Sequence, residues 1–384
     1  MLTKVLTLFG TRPEAIKLAP VIRELERRSD RFQTLNVTSA QHTDLLYPFT
    51  RFFDIRLDVD LEVMRPGQSV IGVAARVLGA LEELLARERP DVLLVQGDTT
   101  TAMAGSLAGF FHRIPVGHVE AGLRSGDPQS PFPEEMNRRL TTRVAAMHFA
   151  ATERNVRVLR EEGVSEDDIF LTGNPVVDSL RMVLERPRQD GPIHDILRRL
   201  EGTRPIVLTT HRRESFGDVM SGNLKVLREF VEARPDASLV FPVHPNPNVR
   251  EVSRRILGGV PRIHLVEPLE YFDFVHLLSA AWLIVSDSGG VQEEAPTLGK
   301  PLLVLRENTE RPEAIESGVA RLVGGDPATL RRMLEDLWPD HEWIRAMKGV
   351  ENPFGDGTAG RRIVDGLESW LARRDRLASA GASA

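Results

Sequence analysis

The chain has 384 residues, 41% of them apolar and 27% charged, with a formal net charge of −6 and no cysteine. Such a length exceeds what one hydrophobic core usually serves, so two domains of similar size are expected, one long α/β domain being the alternative. The acidic balance argues against a nucleic-acid partner, the lack of cysteine excludes disulfides and thiol chemistry, and no apolar run approaches the ~20 residues that span a bilayer.

The opening MLTKVLTLFGTRPE carries no small-residue cleavage site and reads as a first strand, so a soluble, cytoplasmic protein is expected. From there short β-rich runs alternate with longer amphipathic stretches, the pattern of βαβ units around a parallel sheet. Strands are predicted at KVLTLFG, QTLNVTSA, DVLLVQGD, IPVGHVE, MHFAAT and IFLTGN. Helices fall at EAIKLAPVIRELERR and VIGVAARVLGALEELLARE, where apolar residues recur every three or four positions. Strand signals stop between Asn174 and Arg204, where RPRQDGPIHD supplies turn residues and charge, and a hinge is placed near Gly173 to Val177. A second series restarts at RPIVLTTHRRE and runs through SLVFPVHPN, IHLVEPL, WLIVSDSGG and PLLVLRE. The expected fold class is therefore α/β, with two Rossmann-like domains facing one another across a cleft lined by the carboxyl ends of both sheets. Their expected extents are 1–174 and 175–355, and ASAGASA at the end reads as a frayed tail.

Each predicted strand ends in a polar or glycine-rich cluster, and these clusters hold the candidate chemistry. In FGTRPEAIKLAP, Arg12 stands just before Pro13 and a helix, so a helix N-terminus and a forked donor could share an anion; the alternative is a plain strand-to-helix turn with a solvated Arg. In VSDSGGVQEEAPTLGKP, Ser288, Gly289 and Gly290 allow close backbone approach to a ligand, and Glu293 and Glu294 could accept from ribose hydroxyls; the alternative, acidic residues complementing the helix dipole, explains the glutamates but not the Ser-Gly-Gly. A nucleoside diphosphate fits this pattern, whereas the Walker A and G-x-G-x-x-G fingerprints of ATPases and NAD dehydrogenases are missing. His211, Arg212 and Arg213 follow another strand, and with His244 and Arg311 they could gather cations around a diphosphate; the alternative is a structural histidine.

In the first half, Asp98 ends a strong strand, and by itself it reads first as a helix N-cap. Glu120 and Glu134 bring two further carboxylates to the same rim, an arrangement suited to acid and base work. The alternative is a solvated acidic loop paired with Arg124, Arg138 and Arg139. No H-E-x-x-H, cysteine pair, Asp-rich calcium loop or nucleophile elbow occurs, so neither metal chemistry nor nucleophilic hydrolysis is the reading.

Taken in order, GTRPE, QH, PGQ, GDTTT, GHVEAGLR, PFPEE-NR, GNPVVD, HRRE, HPN, SDSGG-QEEAP and TERPE resemble the non-hydrolysing UDP-N-acetylglucosamine 2-epimerase family, from residue 8 to near residue 315. The resemblance implies a glycogen-phosphorylase-type (GT-B) architecture in which the last helix, around AGRRIVDGLESWLARR within 356–384, crosses back to the first domain. It implies reversible conversion of UDP-GlcNAc to UDP-ManNAc with no cofactor. It places the nucleotide with Arg12, His211, Phe274, Ser288, Gly289, Gly290, Glu294 and Arg311, and the sugar with Lys17, Asp98, Glu120 and Glu134. The last three resemble the family's catalytic carboxylates, and His211 would assist departure of the diphosphate. A second UDP-GlcNAc is implied as an activator beside Gln41, His42, Gln68 and His244, and the family implies a homodimer. Two departures are the Leu in QHTDLL where a Met is common, and Leu269 where some members carry Gln.

The expected mechanism is elimination of UDP to a 2-acetamidoglucal, proton transfer on opposite faces of C2 by Asp98 and Glu134, and re-addition, with domain closure excluding water. An epimerase of a related UDP-diacetamido sugar, a GT-B glycosyltransferase and a non-catalytic nucleotide-sugar sensor are the competing readings.

Overall fold

Strand β1 (Thr3–Phe9) carries Val5, Leu6, Leu8 and Phe9 on both of its faces, and all four are fully buried. A strand that is apolar on both faces needs helices on both sides, as in a doubly wound α/β unit. The same holds for β4 (Val92–Gln96), whose VLLVQ is buried at every position. The structure, a computed structural model, describes residues 2–39, 49–63, 65, 67–186, 191–210, 217–339 and 341–381. Two units make up the chain, Met1–Ser179 with Phe354–Ala384, and Leu180–Pro353, and each is built on its own parallel sheet.

The first sheet has seven strands in the order β3-β2-β1-β4-β5-β6-β7. Besides β1 and β4 these are β2 (Phe32–Thr38), β3 (Val59–Asp60), β5 (Val116–Ala121), β6 (Met147–Ala150) and β7 (Ile169–Leu171). The strand order reverses between β1 and β4. Loops leaving the carboxyl ends of such a pair diverge to opposite faces of the sheet, and ligands bind where they part. The second sheet has the order β10-β9-β8-β11-β12-β13, and its reversal lies between β8 (Arg204–Thr209) and β11 (Leu283–Ser286). Its other strands are β9 (Ala237–Pro242), β10 (Ile263–Val266), β12 (Leu302–Val304) and β13 (Ala320–Leu322). Every predicted strand is present. The sequence reading lacked β3 and β13, edge strands of two and three residues that are too short to display a periodicity.

Helix starts follow local chemistry. Helix α1 (Arg12–Arg27) opens with Pro13 in its first turn and a capping box between Thr11 and Glu14. Helix α2 (Val70–Glu88) begins where the Ser69 side chain accepts from the Gly72 N–H, and Val73, Val77, Leu81, Leu84 and Leu85 form its buried stripe. Helix α3 (Thr100–Phe111) is capped by Thr99, which accepts from the Ala102 N–H at 3.0 Å. Helix α4 (Glu134–Val144) follows the PFP segment. The last helix, Ala359–Gly381, lies in the first unit against α1. Its opening N–H groups, of Ala359 and Gly360, donate to the Asp178 carboxylate at 3.1 and 2.9 Å, and Arg28, just past the end of α1, pairs with Asp365 and Glu368.

Candidate active site

At the switch point of the first sheet, β4 ends in Gln96 and the chain turns through Gly97, Asp98 and Thr99 into α3. Because Thr99 supplies the cap, the Asp98 carboxylate is not the N-cap that its position alone allowed. Arg138 of α4 grips it instead, with Nη2 at 2.6 Å and Nε at 2.9 Å from Oδ2, while Asn137 donates to the Asp98 carbonyl at 2.9 Å. Arg138 is itself buried and also pairs with Glu135, which is fully buried and bound to Arg139 as well. Glu135 is thus a structural anchor for α4.

Glu120 reaches the neighbouring strand end in an unusual conformation. Its φ is +67°, and the β5–β6 register slips between Val119 and Ala121. A left-handed non-glycine residue stores roughly 1–3 kcal/mol of strain, and such outliers cluster at functional sites. Three donors hold its carboxylate: Lys17 Nζ at 2.5 Å and Asn174 Nδ2 at 2.9 Å on Oε1, and Gln96 Nε2 at 2.5 Å on Oε2. Glu134 is the first residue of α4, four before Arg138 and so on the same helix face. Its Oε2 is buried and has no hydrogen-bond partner among the described residues. Asp98 and Glu120 thus leave neighbouring strands, β4 and β5, with different partners, and Glu134 lies on the helix that also carries the Asp98 partner Arg138. Arg12, at the start of α1, is exposed, with its guanidinium 5.4 Å from the Phe49 ring centroid.

Two buried groups support this rim. His118 is fully buried with Nε2 2.8 Å from the Gly97 carbonyl, and desolvation pushes its pKa down to about 3. A neutral imidazole whose Nε2–H donates to that carbonyl accounts for the geometry. Glu14, 1% exposed, accepts from the N–H groups of Gly10 and Thr11 at 3.0 and 2.8 Å and from the Thr99 hydroxyl at 2.7 Å.

In the second unit Ser288 is the N-cap of the helix Gly289–Leu298, directly after β11. Arg311 lies over this helix start, its Nε 2.6 Å from Glu293. A Cβ on Gly289 would come 2.6 Å from the Arg311 guanidinium, so a larger residue there would push the arginine from its present position. The turn therefore combines backbone donors with a guanidinium, the requirements of a diphosphate. Glu293, read as one of two ribose candidates, is engaged by Arg311, while Glu294 is 6% exposed. Phe274 is half-buried on the helix Tyr271–Ala280.

The residues expected to bind an activator are placed apart in the sequence and differently in the structure. The Gln68 side-chain oxygen accepts from Arg76 and from the Arg65 N–H, and His244 is exposed, with Nδ1 accepting from the Asn246 N–H at 3.2 Å. Gln41, His42 and His211 lie outside the described residues. Among the described residues no group of His, Cys, Asp or Glu is arranged to hold a metal ion, and no helix is long and apolar enough to cross a membrane.

Sequence reasoning missed Glu14, Gln96, Asn174 and the active part played by Arg138. Thr11-x-x-Glu14 does carry the capping-box signature, and Glu134 and Arg138 show helical spacing. Gln96 and Asn174 have no such signal, because their partner Glu120 is distant in the chain.

A family model described as UDP-N-acetylglucosamine 2-epimerase matches residues 23–368. A UDP-N-acetylglucosamine 2-epimerase of Escherichia coli K12 is 46% identical over 371 residues, covering 95% of this chain and 98% of that one. Among solved structures, the chain resembles UDP-GlcNAc 2-epimerase from Neisseria meningitidis bound to UDP-GlcNAc, with 42% identity, a TM-score of 0.87 and coverage of 95% and 99% of the two chains. It also resembles the Methanocaldococcus jannaschii UDP-GlcNAc 2-epimerase in complex with UDP-GlcNAc and UDP, at 33% identity, a TM-score of 0.80 and coverage of 95% and 99%.

Proposed function

Since this chain belongs to the UDP-N-acetylglucosamine 2-epimerase family, we propose that it interconverts UDP-GlcNAc and UDP-ManNAc by elimination and re-addition of UDP. The observation that supports the reading is that Asp98 and Glu120 leave adjacent strands beside the switch point of the first sheet, fixed by Arg138 and by Lys17, Gln96 and Asn174, with Glu134 on the helix that carries Arg138.

The C2 proton of the sugar is not acidic in the ground state, so the reaction begins at C1. Its bond to the diphosphate oxygen breaks, and the electron pair leaves with UDP. Arg12, His211, Arg311 and the helix start at Ser288 to Gly290 are assigned to the departing charge, because donors preorganised at developing charge lower such a barrier most. As C1 becomes electron-poor, a carboxylate removes the C2 proton and the C1–C2 double bond of a 2-acetamidoglucal forms. A second carboxyl group delivers a proton to the opposite face, and the UDP oxygen adds back to C1. Asp98 and Glu134 are assigned the two proton transfers, one on each face. Glu120, held by three donors, is assigned to the sugar and to Lys17. Phe274 and Glu294 are assigned to the nucleoside.

The same reading includes a second UDP-GlcNAc acting as an activator near Gln41, His42, Gln68 and His244, and a homodimer acting in the cytoplasm. The deciding experiment is NMR of UDP-GlcNAc with the protein in D₂O. UDP-ManNAc carrying deuterium at C2, with little free UDP, is expected. Unchanged C2–H with binding identifies a sensor, and accumulation of free sugar identifies a hydrolase; either result refutes the reading. No reaction with UDP-GlcNAc but C2 exchange in a UDP-diacetamido sugar transfers the chemistry to that substrate.

A further inference from the structure

Glu14 has no place in the chemistry assigned above, yet it is a carboxylate with 1% exposure and no cation among its hydrogen-bond partners. Such burial is costly, and desolvation pushes its pKa up from 4.5 to about 7. Helix capping does not explain the choice, because glutamine closes the same box without a buried charge. The distinguishing feature is the third hydrogen bond. While Oε2 accepts from Gly10 and Thr11, in the loop leaving β1, Oε1 accepts from Thr99, in the loop leaving β4. Those strands are the pair between which the sheet order reverses. Arg12 follows directly on the first loop, and Asp98 directly precedes Thr99.

The second unit repeats the device. Asp287, fully buried and just before Ser288, accepts from the Thr210 hydroxyl at 2.8 Å, joining the loops that leave β11 and β8 at the other reversal. A buried carboxylate tied to a hydroxyl thus spans both switch points, so the tie at Glu14 is not an accident of one helix cap.

We propose that Glu14 is a positioning residue for the epimerase reaction, locking the β1 and β4 loops together so that Arg12 and Asp98 hold a fixed separation at the diphosphate and the sugar. The inference rests on the reading under Proposed function. It differs from a stability role in predicting a loss of turnover in protein that remains fully folded.

The test is steady-state kinetics of the full-length enzyme with UDP-GlcNAc, comparing wild type, Glu14→Gln, Thr99→Val and the double variant. Glutamine keeps the size and one acceptor but removes the charge, and valine keeps the shape of threonine without its hydroxyl. Each single change is expected to lower kcat about tenfold and leave KM within about threefold, and the double variant should fall no further, since both changes cut one tie. Thr99→Val also removes the α3 cap and lowers Tm, a loss that Glu14→Gln does not share. Folded Glu14→Gln enzyme with wild-type kcat, or losses that multiply in the double variant, overturns the proposal. Should Glu14→Gln fail to fold, Thr99→Val and Thr99→Ser decide: a tenfold loss with valine and most of kcat kept with serine supports the tie, and equal kcat in the two overturns it. A wild type inert toward UDP-GlcNAc overturns the parent reading and this one with it, whereas an active wild type with unaffected variants overturns this one alone.

Discussion

Asp98, Glu120 and Glu134 are chemically alike but differently held, and the difference predicts unequal consequences of mutation. Asp98→Asn and Glu134→Gln should each lower C2 deuterium incorporation by about 10²–10⁴-fold, the usual worth of a positioned acid or base. Wild-type exchange in both variants would remove them from the proton path. A second prediction concerns pH and stability. Burial holds His118 and His148 at about 3 and about 4, both below the ordinary 6.5. Both imidazoles are neutral in the fold, whereas the unfolded chain takes up their protons below about 6.5. Their contribution is complete above pH 6.5 and is lost as pH falls toward 4, at up to about 1.4 kcal/mol per pH unit for each proton. Glu14 works in the opposite sense. Folded protein keeps its proton up to about 7 while unfolded protein loses it near 4.5, so its burial penalty shrinks as pH falls through that window. Urea midpoints measured from pH 8 to pH 5 should therefore decline toward acid. The decline should flatten in His118→Gln and steepen in Glu14→Gln; parallel curves for all three proteins would refute both assignments.

At the scale of elements, the strand-to-helix turns beside each reversal of strand order carry the residues assigned to the proposed reaction, and within each unit the helices fix where those turns point. Strand and helix positions were legible because fully apolar runs and three-to-four spacing are local properties. The edges β3 and β13 were not, since an edge strand of two or three residues exists through its neighbour's hydrogen bonds. The docking of the last helix on α1 also depends on contact rather than pattern. A Cβ on Gly360 would lie 2.8 Å from the Pro20 carbonyl carbon and oxygen, which are backbone and cannot turn aside. Gly360→Ala should therefore destabilise the protein by about 1–3 kcal/mol through overpacking, read as a lower urea midpoint at unchanged slope. An unchanged midpoint would show that the helix shifts without cost.

On the scale of the whole molecule, an unusual surface remains. Helix α3 packs between α2 and α4, and its Phe110 and Phe111 are 55% and 70% exposed. Val70 and Ile71 of α2 and Met136 and Leu140 of α4 are exposed as well. Exposed apolar side chains gathered on one helical layer in this way mark interfaces in many proteins. We predict that this face joins the two protomers of the proposed homodimer, and that Phe111→Asp shifts the sedimenting species from dimer to monomer. A wild type that sediments as a monomer at micromolar concentration would refute it.

The sequence by itself determined the two-fold repetition of strand and helix, the two parallel sheets, and the identity of the polar clusters at their carboxyl ends. These follow from hydrophobic periodicity and turn chemistry, which are written within a few residues of one another. It also presented Asp98, Glu120 and Glu134 as one group. Only the tertiary structure decided what each carboxylate touches. Arg138 rather than solvent holds Asp98, Thr99 takes the capping role open to Asp98, and Lys17, Gln96 and Asn174 converge on Glu120 from positions 103, 24 and 54 residues away. It alone showed that Glu14, read as part of a helix start, reaches 85 residues along the chain to Thr99. Partners so far apart leave no periodic trace in a single sequence, because the parallel sheet, not the chain, brings their loops together.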